Sequence, residues 1–163
     1  MQVRQTMSKD VKIANPSQPI REAAYMMAEI DAGILPVGEN DRLVGMITDR
    51  DIAVRAVARD KGPDTPVREV MTAEVKYCFV DDDVDEIAQN MADLKVRRLP
   101  VLNAQKRIVG ILSLGDIALA SGGDPAGSAL CDISQPGGAH SQSGDVNRSS
   151  PAEALRPASA SAL

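Results

Sequence analysis

The chain has 163 residues, 44% of them hydrophobic, enough for a core of ordinary size in one domain or in a tight pair of small ones. A net charge of −5 argues against a general nucleic-acid binder, whose affinity comes from neutralising phosphates. With Tyr25, Tyr77 and Phe79 the only aromatic residues, base-stacking platforms are lacking too. Cys78 and Cys131 stand without CxxC spacing beside a single histidine, His140, so neither a structural zinc site nor a disulfide framework is indicated. The opening MQVRQTMSKDVK has no apolar signal-like region, and no run is long enough to span a bilayer. The expectation is a cytoplasmic protein with no membrane or nucleic-acid partner.

In chain order, a short segment VKIA can join a sheet, and Pro19 suits a first helical position. Ile20, Ala23, Ala24, Met27 and Ile30 then mark one face of a helix. ILPV and LVGMIT read as strands on either side of the turn GENDR, and a second helix is expected from about Ile52 to Ala58. RDKGPDTP, residues 59–66, reads as a linker. The same order then returns. VKYCFV is followed by Asp81, Asp82 and Asp83, which suit the positive end of a helix whose apolar face is Val84, Ile87, Ala88, Met91 and Leu94. RLPV, the turn LNAQKR, IVGILS and a helix near Ile117 to Ala120 complete it.

Sliding the chain by about 64 residues superposes Met7 on Met71, Glu22 on Glu86, Met27 on Met91 and Pro36 on Pro100. The offset grows by one in the turn, where an extra residue costs little. Each copy is β-α-β-β-α and too small to be stable alone. The expected fold is therefore α+β, two such repeats packed sheet to sheet about a pseudo-twofold axis. The boundaries are 1–58 for the first repeat, 59–66 for the linker and 67–120 for the second repeat. Residues 121–163, rich in Ser, Ala, Gly and Pro, are expected to be a disordered tail, with at most a short helical turn at PAEAL.

The most telling pair is LVGMITDRD at residues 43–51 and IVGILSLGD at residues 108–116. Thr48 stands three residues before Asp51, and Ser113 three before Asp116, where a strand becomes a helix. That spacing fits a helix-capping pair. It also fits a ligand site, and a cap can face a ligand.

These paired motifs, with ILPV and RLPV ahead of them and REVMT opening the second copy, resemble a tandem of cystathionine-β-synthase-type (CBS) domains, the Bateman module, over roughly residues 1–120. The resemblance implies a non-catalytic regulatory module that binds adenosine-containing ligands, AMP, ADP, ATP or S-adenosylmethionine, in clefts between the copies. It implies no obligatory cofactor, a homodimer, and a regulated protein on another chain. By the same resemblance Asp51 and Asp116 would accept hydrogen bonds from the ribose hydroxyls, and Thr48 and Ser113 would contact ribose or phosphate. Arg97 and Arg98 match positions that reach phosphates. Val11, Leu35 and Met46, or Val75, Leu99 and Ile111, would wall the adenine.

The copies are not equivalent in this respect. Asp31, Ala32, Gly33 and Ile34 stand where the second copy has Lys95, Val96, Arg97 and Arg98, and Arg50 stands where it has Gly115. Arg50 would either reach a phosphate or lie across the opening, so the second cleft is favoured. Against the ligand reading, Arg97 and Arg98 would simply be solvated or paired with Asp81–Asp83. The alternative function is a ligand-free dimeric interaction module with vestigial clefts. The region of the repeats has no histidine, no nucleophile paired with a base and no Walker-type loop, so no catalytic residue is assigned.

Overall fold

The computed structural model describes residues 1–121 and 124–133; PAEAL, His140 and the rest of the tail lie outside the described residues. The first copy contains α1 (Ile20–Ile30), β1 (Ile34–Glu39), β2 (Arg42–Thr48) and a short α2 (Asp49–Asp51). That last helix runs on as a π-helical turn, Ile52–Ala56, and a 3-10 turn, Val57–Arg59. The second copy contains β3 (Cys78–Phe79), α3 (Val84–Leu94), β4 (Arg98–Leu102), β5 (Ile108–Ser113) and α4 (Leu114–Ser121).

Each copy is built on an antiparallel hairpin, β1 with β2 and β4 with β5, and both hairpins shift register at equivalent places, Val37/Gly38 and Val101/Leu102. The first turn is tight: Asn40 and Asp41 both take left-handed φ values, 53° and 62°, which short polar side chains tolerate and which match the strand twist. The second turn holds its extra residue through Asn103, whose Oδ1 accepts from the N–H groups of Gln105 and Arg107 at 3.0 Å each. Both long helices end on a left-handed residue, Asp31 and Lys95, at matching positions.

The opening strand of the first copy shrinks to a single parallel bridge, Ala14 with Val37, whereas Cys78 and Phe79 both pair with β4. Proline explains the difference. In the second copy the Val80 N–H donates to the Leu102 carbonyl at 3.0 Å, and the equivalent residue in the first copy is Pro16, which has no N–H to give.

The copies exchange their leading segments. Val3 is fully buried in the core of the second copy, beside Cys78, Val84, Met91 and Leu112, while Val67 and Val70 are fully buried in the core of the first, beside Leu35, Val37 and Ile47. Ser8 and Ile111 exchange backbone hydrogen bonds at 2.9 and 3.0 Å, and Thr72 and Met46 do the same at 2.8 and 2.9 Å. These crossings need glycine beneath them. A Cβ on Gly110 would lie 2.7 Å from the Ser8 carbonyl oxygen, and one on Gly45 would lie 2.7 Å from Met71 Sδ and 2.8 Å from the Thr72 carbonyl oxygen. Between the two crossings Arg42 pairs with its own repeat-equivalent, Arg107, and the Ile108 N–H reaches the Asp41 carbonyl at 2.8 Å. That self-matching bridge marks the pseudo-twofold axis.

One expectation is corrected. Residues 124–133, assigned to a structureless tail, form a helix, α5 (Asp124–Ile133), that packs on α3 and α4. Ala126 and Ala129 are 5% and 2% exposed in the second core, close enough to the helices beneath because they are small. Ala88 on α3 is consequently buried, whereas its counterpart Ala24 on α1 is exposed.

Cys78 lies at the base of that core, and burial pushes its thiol up to about 12. The folded state therefore holds a proton that the unfolded chain releases near pH 9, so this group's contribution is complete below pH 9 and is lost progressively as pH rises towards 12. In a Cys131→Ser background, Cys78 should resist thiol reagents at pH 8 until the protein unfolds, as followed by labelling kinetics. A second expectation concerns the crossings. Gly45→Ala and Gly110→Ala should each cost about 1–3 kcal/mol in urea denaturation through overpacking. Gly115→Ala, where an added Cβ meets nothing nearer than Ser113 Oγ at 3.5 Å, should not destabilise.

Candidate functional site

The exchange of segments leaves a cavity of about 300 Å³ between the copies. From the first copy Ile34 at the start of β1 and Met46 on β2 line it; Thr72, Glu74, Val75 and Lys76 come from the connecting segment and Val96–Pro100 from the entry to β4. The walls are apolar, made by Ile34, Met46, Val75, Val96, Leu99 and Pro100. Its charged groups are three cations, Lys76, Arg97 and Arg98, against one carboxylate, Glu74.

Among the described residues none of these three cations forms an ion pair. The acidic run that would have neutralised the arginines is spent elsewhere. Asp81 pairs with Arg4, Asp82 accepts from the Phe79 N–H at 2.7 Å, and Asp83 caps α3 through the Asp85 N–H at 2.9 Å. Arg97 and Arg98 are exposed at the cavity with their guanidinium donors available.

Thr48–Asp51 and Ser113–Asp116 do form caps. Thr48 Oγ1 accepts from the Asp51 N–H at 3.0 Å, and Asp51 Oδ2 accepts from the Thr48 N–H at 2.9 Å. Ser113 and Asp116 repeat the reciprocal pair at 3.1 and 2.8 Å, and the Ser113 hydroxyl also donates to Asp116 Oδ2 at 2.7 Å. Each carboxylate keeps a second oxygen turned to a neighbour. Asp51 Oδ1 lies 3.6 Å from Arg55 Nε, and Asp116 Oδ1 accepts from the Ser8 hydroxyl at 3.4 Å. Neither pair lines the cavity, but Thr48 is the strand partner of Ile34 and Ser113 that of Arg98, which do.

The apolar candidates divide differently from the sequence expectation. Met46 joins Val75 and Leu99 in one cavity, so its apolar wall is drawn from both copies. Leu35 is fully buried in the first core and presents no surface to a ligand. Val11 and Ile111 are half-buried and do not line the cavity, Ile111 being tied to Ser8 through both backbone groups. Arg50 is exposed outside it.

The inequality of the copies has a structural cause. A Cβ on Gly33, the counterpart of Arg97, would lie 2.6 Å from Asp49 Oδ2. In the first copy a carboxylate thus occupies the space beside the position where the second copy carries a guanidinium, and an anion entering there would meet like charge.

Arg55, which sequence reasoning did not single out, holds the site's frame. Standing on the π-helical turn, its Nη1 donates to the carbonyls of Val70 and Met71 at 3.3 and 3.1 Å and to Thr72 Oγ1 at 3.3 Å, while its Nε faces Asp51. It links the Asp51 carboxylate to a cavity-lining threonine, Thr72. Ala120 at the equivalent place in the second copy cannot do so. Among the described residues no group of three or more His, Cys, Asp or Glu side chains could hold a metal, and no helix is long and apolar enough to cross a membrane.

The exchanged copies and the cavity between them define a tandem CBS-domain module, and comparison with known proteins agrees. The CBS domain family matches residues 3–57 and again 67–123; the chain belongs to the CBS-domain family. It is 41% identical over 133 residues to the CBS domain-containing protein YhcV of Bacillus subtilis, covering 81% of this chain and 94% of that protein. It is 35% identical over 117 residues to Hypoxic response protein 1 of Mycobacterium tuberculosis, covering 71% and 81%. Among solved structures, the CBS domain pair of protein MJ0100, in complex with 5′-methylthioadenosine and S-adenosyl-L-methionine, aligns with a TM-score of 0.67 at 33% identity, covering 76% of this chain and 97% of that one.

Arg55→Met, which keeps the aliphatic stem and removes the donors, should cost about 1–2 kcal/mol in urea denaturation because the Val70 and Met71 carbonyls and Thr72 lose their partner.

Proposed function

We propose that the chain is a non-catalytic regulatory module that takes an adenine nucleotide in the cavity between its copies and signals its occupancy to a protein on another chain. The observation that carries this reading is the set of three cations, Lys76, Arg97 and Arg98, unpaired among the described residues and lining a cavity walled by Met46, Val75 and Leu99. An adenine ring suits the apolar walls, and a guanidinium fork suits phosphate oxygens. The ligands of MJ0100 support the adenosine half of the assignment. The cations favour a phosphate-bearing ligand, AMP, ADP or ATP, over the positively charged sulfonium of S-adenosylmethionine.

Asp116 and Ser113 are the ribose partners on this reading, with Asp116 Oδ1 exchanging its long contact to Ser8 for a ribose hydroxyl. In the first copy Asp49 stands in the arginine's place, which makes one nucleotide per chain the expected stoichiometry. The module acts as a homodimer, and a nucleotide alters its partner affinity only through unequal affinity for two arrangements of the copies.

One observation favours the alternative, a ligand-free interaction module: both aspartates already satisfy one oxygen in their own caps. Calorimetric titration separates the two. AMP, ADP or ATP should bind with one site per chain, and Arg97→Ala with Arg98→Ala should weaken binding by about tenfold or more, the scale of a charge-assisted hydrogen bond. Binding of 5′-methylthioadenosine, which carries no phosphate, should be unchanged by those substitutions. Absence of heat with all of these ligands would leave the interaction module as the function.

A further inference from the structure

We propose that a second cavity, of about 410 Å³, is a binding site for a small amphipathic anion, an apolar body ending in a carboxylate or phosphate. It is lined by Arg42, Leu43 and Val44 of β2, Ala73, Val75 and Tyr77 of the connecting segment, and Leu102 and Lys106 of the second hairpin. The connecting segment divides the two cavities by alternation: Glu74 and Lys76 line the first, Ala73 and Tyr77 line the second, and Val75 lines both.

The chemistry of the lining selects the ligand. Leu43, Val44, Val75 and Leu102 form an apolar floor, and the Tyr77 ring, held edge-on against Phe79 with centroids 5.5 Å apart, extends it. Burying a hydrocarbon body here removes apolar surface from water on both sides. Arg42 and Lys106 supply the charge. Neither forms an ion pair among the described residues, no carboxylate lines the cavity, and neighbouring Asp41 is turned to Arg107 at 3.8 Å. Two cations without an ion pair among the described residues, beside apolar side chains, fit one anionic headgroup.

The same lining disfavours a second nucleoside. Apart from the Tyr77 hydroxyl it offers no neutral polar side chain, so ribose hydroxyls and base edges would be buried without partners. The site is therefore chemically distinct from the first cavity, which has Thr72 in its wall and Ser113 as the strand neighbour of its lining residue Arg98.

Methyl-detected NMR with octanoate, octyl phosphate and neutral octanol tests this directly. Octanoate or octyl phosphate should shift the methyl signals of Leu43, Val44, Val75 and Leu102 saturably, and whichever binds more tightly identifies the headgroup. Octanol should bind at least about tenfold more weakly, and the double variant Arg42→Gln, Lys106→Gln should lose a similar factor while its core methyl signals stay in place. Should the double variant misfold, Lys106→Gln alone, at an exposed turn, should still weaken binding of the anions and leave octanol unaffected. No shift with either anion, equal affinity for octanol, or undiminished anion affinity in the folded variant would overturn the proposal.

Discussion

Everything in this molecule depends on two backbone crossings, Ser8 over Gly110 and Thr72 over Gly45. At each, two segments of the backbone approach too closely for any side chain to stand between them. The crossings commit Val3 to one core and Val67 and Val70 to the other, so neither copy is complete without a segment from its partner copy. A repeat of this size gains too little apolar burial to stand alone, and exchange turns two marginal cores into one cooperative unit. The cavity is a by-product of the same geometry. Thr72, which makes the crossing, is also a wall of the site, and Val75 and Lys76 follow it directly.

The copies then diverge at three points. Pro16 removes the donor that Val80 supplies, so one sheet has a third strand and the other a single bridge. Gly33 and Asp49 exclude from the first copy the cation that Arg97 places in the second. Arg55 ties the first copy's π-helical turn to the crossing segment, whereas the second copy has Ala120 there and is braced by α5 instead. A π-turn breaks the regular ladder and re-aims a side chain, and here the side chain it carries is the one that joins Asp51 to Thr72.

Much of this could be read in the chain itself. The repeat, the two hairpins and most of the α1 and α3 faces followed from period and spacing, because local pattern and tertiary role agree there; Ala24, Ile30 and Leu94, placed on those faces by spacing, are exposed. Arg97, Arg98, Val75, Leu99 and Met46 were named from sequence, and the structure brings them to one cavity. What pattern could not show was which copy each residue would serve: Met46 faces residues of the other copy, since segment exchange is a long-range event that leaves only Gly45 and Gly110 as local traces. Leu35 failed as a ligand wall for the ordinary reason that its strand face points into the core. The helix α5 was hidden by composition. Pro125 in its first turn, with Ala126, Ala129, Leu130 and Ile133 at helical spacing, is a helix signature, but small residues and the flanking glycines give it the look of a linker.

On the function proposed above, a phosphate-bearing adenosine ligand occupies the cavity between the copies, and Arg97 and Arg98 at the start of β4 hold its phosphate. A crystal structure of the protein with AMP tests this most directly. Adenine is expected between Met46, Val75 and Leu99, phosphate on Arg97 or Arg98, and no nucleotide at the Gly33 and Asp49 side. AMP bound instead beside Asp49, or an empty cavity at a concentration that saturates the protein in solution, would contradict it.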